Sequence, residues 1–124
     1  MTNLMDLLDM KYVHVNKDLV TIEMPVTEKV TQPMGYLHGG ATVALAETAA
    51  SLGGMQHVHP NEKAIVGLEI NCNHIKAKKD GKIIAKAIPI HIGKRTMIWE
   101  IKVVDEVEQL IAIARCTLAV ISTK

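Results

Sequence analysis

Aromatic residues are nearly missing from this chain. It has no Phe, and Trp99, Tyr12 and Tyr36 are its only aromatic side chains in 124 residues. So few stacking platforms disfavour a reader of single-stranded nucleic acid. An excess of one charge is missing too: 14 Lys and Arg stand against 13 Asp and Glu, a formal net charge of +1. A protein that coats a phosphate backbone needs a face-wide cationic surplus, and none is available. Cysteine is scarce. Cys72 and Cys116 stand alone, with no CxxC pair, which reads as two reduced packing thiols in a cytoplasmic protein rather than a disulfide framework. No stretch approaches the roughly 18 apolar residues of a membrane span, and no membrane association is expected. The segment from Met1 to Val15 lacks a basic stretch followed by a long apolar run, so no secretory signal is expected.

What is present is ample apolar material. Hydrophobic residues make up 48% of the chain, enough for one domain over residues 1–124 with a core of its own. Seven Met and many Ile and Val fill it in place of aromatics. Periodicity predicts a short amphipathic helix over 3–10, with Leu4, Leu7 and Leu8 on one side, and a strand over 18–25. A loop over 26–37 is punctuated by Pro33 and Gly35. A long helix follows over 41–55, with Gly53-Gly54 as its C-terminal stop. Residues 64–77, 82–92, 96–104 and 109–122 then read as four strands, the first two joined by an Asp80-Gly81 hairpin turn.

The long helix is apolar nearly all round. Its only charge is Glu47, and such a helix belongs inside rather than on a surface. An antiparallel sheet wrapped around one central helix satisfies that demand. This predicts an α+β chain with the hotdog fold. A sheet of this size leaves an open edge and a half-covered helix. A homo-oligomer is therefore expected, either a two-fold dimer that continues the sheet or a dimer of dimers.

The most informative stretch runs from Gly35 to Thr48. A turn ends in His38-Gly39-Gly40 and enters the long helix directly. Gly39 and Gly40 place bare N–H groups at the positive end of a helix, where a developing oxyanion fits. Glu47 has Val43, Ala44, Ala50 and Ser51 as its neighbours one turn away, none of them charged. A lone acid on such a face lines a cavity or is costly, and it needs a raised pKa or a hydrogen-bond partner, with Thr48 and Ser51 at hand. His38 either braces the turn or orients a substrate carbonyl. Gly39 and Glu47 lie eight residues apart, about 12 Å along a helix. One copy cannot easily bring both to one carbonyl, but antiparallel helices in a dimer can. Lys76, Lys94 and Arg95 lie at turns, as solvated charges or as a cationic mouth for a phosphorylated handle. His57 and His59 lack partners at zinc-ligand spacing, so no metal is expected. Ser51 lacks the setting of a nucleophile elbow.

These residues resemble the hotdog-fold acyl-CoA thioesterases, in the branch of the phenylacetate-degradation, Arthrobacter-type hydroxybenzoyl-CoA and dihydroxynaphthoyl-CoA enzymes. The likeness runs over about residues 18–121. It is strongest from Gln32 to Gly40 and at Glu47-Thr48 and Ser51, and the stretches Glu69 to His74 and His91 to Thr96 also look like strands of the family. The resemblance implies that Glu47 is the catalytic carboxylate and that the Gly39 N–H polarises the thioester carbonyl. It implies that His38 and Gln32 hold the thioester end, that Thr48 or Ser51 positions water or Glu47, and that Lys76, Lys94 and Arg95 lie near the nucleotide of CoA. CoA is then part of the substrate, and no cofactor is implied. Met34, Tyr36, Leu52 and Met55 are candidate walls for an aromatic or medium-sized acyl group. Two other readings stand beside this one: a hotdog dehydratase of 3-hydroxyacyl thioesters, and a non-catalytic acyl-CoA-binding module.

Overall fold

Strict alternation organises the sheet. In β2 (Val20–Pro25), Val20, Ile22 and Met24 are fully buried while their neighbours are not. The same beat recurs in β4 (Lys82–Ile92) through Ile83, Ala85 and Ala87, and in β5 (Thr96–Val104) through Met97, Trp99, Ile101 and Val103. Successive side chains of a strand point to opposite faces, so each strand sends one apolar row inward. The computed structural model describes residues 2–123. The remaining elements are α1 (Leu4–Leu7), β1 (Lys11–Val15), a one-turn 3-10 helix (Glu28–Val30), α2 (Gly39–Met55), β3 (Lys63–His74) and β6 (Leu110–Ser122).

All six strands form one antiparallel sheet in the order β1-β2-β4-β5-β6-β3. α2 packs on its inner face through Leu45, Ala46, Ala49 and Ala50, all fully buried. This is the hotdog arrangement that the apolar helix predicts. β3 forms one edge of the sheet. Val66 and Leu68 on it are 42% and 60% exposed, and a β-bulge interrupts its pairing with β6 between Gly67 and Glu69.

The structure differs from the sequence reading at several points. The Asp80-Gly81 turn closes no hairpin between β3 and β4: β3 pairs with β6 at the sheet edge while β4 lies between β2 and β5, so the connection over 75–81 is a crossover. β1 is a strand that the reading omits. All five of its residues are exposed, so burial imprints no alternation on them. α1 is a single turn, closed by a reciprocal cap between Asn3 and Asp6 and ended where Asp9 turns left-handed at φ 57°. Gly53-Gly54 is no stop: both lie inside α2 and are buried.

Close approach explains that pair. A Cβ on Gly53 would lie 2.5–2.9 Å from the Trp99 ring, and one on Gly54 would lie 2.7 Å from Leu118 Cδ1. Trp99 is fully enclosed, so the ring has nowhere to go. Gly53→Ala is expected to destabilise the fold by a net of about 1–2 kcal/mol, because overpacking outweighs the better helix propensity of Ala. A lowered urea midpoint with an unchanged slope would report this.

Candidate active site

Gln32 shapes the approach to α2. Its Oε1 accepts from the backbone N–H of Met34 (2.5 Å) and of Tyr36 (3.4 Å). The carbonyl end of the amide is thereby used inside the turn, and the NH2 end remains as a donor. Gly35 makes the turn at φ 88°, a conformation that suits glycine.

His38 is the N-cap of α2. Its Nδ1 accepts from the Gly40 N–H at 2.8 Å, which puts the proton of the neutral ring on Nε2. The N–H groups of Ala41 and Thr42 donate to the His38 carbonyl. Among the described residues, no acceptor is paired with the Gly39 N–H. The helix therefore starts with one free donor at its positive end, and that donor belongs to Gly39, not Gly40.

Gly39 lines a cavity of about 460 Å³ together with Gln32, Tyr36, His74, Lys76 and Lys78. The His74 ring lies flush against it, since a Cβ on Gly39 would come within 3.0 Å of His74 Nε2. Lys78 is paired with Glu106. Its hydrogen bond is the main cause that holds the exposed Glu106 carboxyl down at about 2. Lys76 donates to the neutral Gln109 amide and so keeps an unmatched charge. Lys79 lies 4.9 Å over the Tyr36 ring. The cavity thus carries net positive charge at its rim and a free N–H at its floor.

Glu47 lies elsewhere. It is half-buried on the side of α2 that faces β3, the edge strand of the sheet. It lines a second cavity, of about 350 Å³, with Leu4, Met5, Thr48, Ser51 and Met55. Its carboxylate seats on the backbone of β3, where a Cβ on Gly67 would overlap Oε2. Among the described residues it has no ion-pair partner. Thr48 is no partner either, because its Oγ1 donates to the Ala44 carbonyl at 2.7 Å. The two thiols are inert packing. Burial, then the charges of Glu47 and Glu69, push the Cys116 thiol up to about 12, and burial raises Cys72. Neither supplies a thiolate nucleophile.

Of the residues singled out from sequence, one chain brings Gln32, Gly39 and Lys76 together, and Glu47, Thr48 and Ser51 together, as two separate groups. The candidate walls divide likewise: Met34 and Tyr36 fall with Gly39, Leu52 and Met55 with Glu47. His38 and Gly40 line a neighbouring cavity with Leu4 and Ala44. Lys94 lies apart, in a cavity with His57, His59 and Lys63, and Arg95 is exposed at the β4–β5 turn. His57 is engaged by the Lys17 carbonyl at 2.7 Å.

Two residues escaped the sequence reading. Gly67 had a signal, a glycine inside a strand, which marks a bulge or a close approach. His74 appears in that reading only as the end of the Glu69 to His74 stretch of the resemblance, because its contact with Gly39 exists only once β3 lies beside α2.

The parts suit acyl chemistry. A free N–H at a helix start and an amide NH2 can polarise a carbonyl oxygen. An unpaired carboxylate can take a proton from water or attack the carbonyl carbon.

Comparison with known proteins agrees with this chemistry. Residues 34–112 match the thioesterase superfamily. A 1,4-dihydroxy-2-naphthoyl-CoA hydrolase of Listeria monocytogenes is 50% identical over 117 residues, which cover 94% of each chain. A protein of the same description from Escherichia coli is 37% identical over 119 residues, 96% of this chain and 87% of that one. The crystal structure of a mutant thioesterase from Staphylococcus aureus subsp. aureus Mu50 superposes with a TM-score of 0.93 at 47% identity, covering 96% of this chain and 98% of that one. The chain belongs to the thioesterase superfamily and is a hotdog-fold thioester hydrolase.

Proposed function

We propose that this enzyme hydrolyses an aromatic or medium-sized acyl-CoA to the free acid and CoA, at two equivalent sites between two copies of the chain. In each site the Gly39 N–H of one copy polarises the thioester carbonyl, and Glu47 of the other supplies the carboxylate. The observation that carries this reading is the Glu47 carboxylate itself: seated on Gly67, half-buried, and without an ion-pair partner among the described residues. A structural carboxylate in such a place would need a partner.

The separation of the two groups within one chain supports a two-fold site. Gly39 and Glu47 line different cavities, about 12 Å apart along one helix. Antiparallel packing of two α2 helices sets Glu47 of each copy against Gly39 of the other. The free edge of β3, with Val66 and Leu68 exposed, is the surface on which such a pair would continue the sheet. The homologues named as dihydroxynaphthoyl-CoA hydrolases support an aromatic acyl group.

In the general-base route, Glu47 takes a proton from water as the oxygen adds to the carbonyl carbon. The oxyanion develops at the Gly39 N–H. The intermediate then collapses, the C–S bond breaks, and the CoA thiolate recovers the proton. In the nucleophilic route, a Glu47 oxygen displaces the thiolate to form an anhydride, which water opens. The Gln32 NH2 and His38 Nε2 hold the thioester end, and Ser51 positions water. Lys76 meets the CoA phosphates, with Lys94 and Arg95 contributed from the second copy. A dehydratase would pair its His base with the carboxylate, and the cap bond to Gly40 already occupies His38 Nδ1.

Mixing two inactive variants tests the shared site. Glu47→Ala and Gly39→Pro chains, unfolded together and refolded at equal amounts, are expected to regain about a quarter of wild-type activity. Random pairing makes about half of the dimers mixed, each with one intact site of two. Activity no higher than the sum of the separate variants would overturn the shared site.

Gly67→Ala is a milder probe. The added methyl displaces the Glu47 carboxylate, and a misplacement of about 1 Å costs up to ~10²-fold in rate. Steady-state kinetics should show a fall in kcat of about 10- to 100-fold at unchanged thermal stability.

A further inference from the structure

The cavity that holds Glu47 has an unexpected wall. Leu4 and Met5 of α1 line it together with Ala44, Thr48, Ser51, Leu52 and Met55 of α2. We infer that α1 is the outer wall of the acyl pocket and that Leu4 and Met5 set the size of the acyl group presented to Glu47. This inference rests on reading Glu47 as the catalytic carboxylate.

A single turn of helix has no stability of its own, so its position needs a cause, and the structure supplies several. Asn3 and Asp6 close the turn reciprocally at 3.0 and 3.3 Å. Tyr12 donates to Met5 Sδ at 3.3 Å, which ties the pocket-lining Met to β1. Asp9 and Lys29 form an ion pair at 2.7 Å. Leu8 and Met10 pack against the core. The C-terminal end of α1 is thereby pinned, while Leu4 remains 56% exposed over the cavity. Leu4 and Ala44 also line the adjoining cavity of about 310 Å³ that holds His38 and Gly40. Leu4 therefore stands where the two spaces meet.

The test follows free-CoA release from benzoyl-, 2-naphthoyl- and dodecanoyl-CoA. Leu4→Trp fills the pocket and should lower the naphthoyl-to-benzoyl ratio of kcat/KM by at least ~10-fold. Met5→Ala opens it and should raise the dodecanoyl-to-naphthoyl ratio several-fold, which keeps the test intact should the Trp variant fold poorly. Leu7→Ala, on the same turn but away from the cavity, should move neither ratio. Ratios unchanged in both pocket variants, with an activity that Glu47→Ala abolishes, would overturn the wall alone. Hydrolysis that survives Glu47→Ala would overturn the site reading and the wall with it.

Discussion

Glu47→Ala is expected to lower kcat for acyl-CoA hydrolysis by at least ~10²-fold, about 2.7 kcal/mol in the barrier, in a protein that folds as well as the wild type. The stability half of this expectation follows from the surroundings of the side chain. No ion pair involves Glu47 among the described residues, and the Thr48 hydroxyl bonds to Ala44 instead. Removing the carboxylate therefore strands no partner, and Ala is the better helix former. The kinetic half follows from chemistry. A thioester has a good leaving group, so the carboxylate and an oxyanion donor carry most of the catalysis. KM should change little, since the contacts that hold CoA lie on other residues. Free-CoA release with a thiol reagent, together with a thermal melt, reads both halves. Unchanged turnover in a folded variant would place the chemistry elsewhere.

Gly39→Pro should cost as much or more, about 10²–10³-fold in kcat, the range found when one oxyanion donor is removed. The substitution deletes a single N–H and little else. Gly39 is the first residue of α2, where Pro is well tolerated. His38 before it is already extended, at φ −70° and ψ 129°, as a residue preceding Pro must be. The new Cβ meets His74 Nε2 at 3.0 Å, the far end of an exposed side chain that can yield. Gly39→Ala adds the same Cβ and keeps the donor. A large loss in the Pro variant against a small one in the Ala variant would isolate the N–H as the cause. Equal losses would instead point to the contact with His74.

The fold was largely legible in the chain because burial leaves a period. The alternation in β2, β4 and β5 and the uncharged run around Glu47 report which faces are inside, and those faces dictate a sheet against one helix. The reading failed at β1, where burial leaves no period. β1 is exposed on every residue and looks like loop. Gly53 and Gly54 look like a helix stop because local propensity cannot register Trp99 and Leu118, which arrive from β5 and β6.

The candidate site divides in the same way. His38-Gly39-Gly40 and Glu47 are recognisable because a helix start and a lone acid are local facts, fixed by a few neighbouring residues. By itself, the sequence determined which groups are chemically available and that they are too far apart on one helix to meet. The tertiary structure alone decided how they are presented. His38 takes up the Gly40 N–H and leaves that of Gly39 free. Gly67 makes the seat for the Glu47 carboxylate, His74 closes on Gly39, and α1 lies across the cavity. Apart from the His38 cap, which is local, each of these contacts joins segments distant along the chain. Such contacts depend on sheet register and helix rotation, which no local pattern of residues encodes.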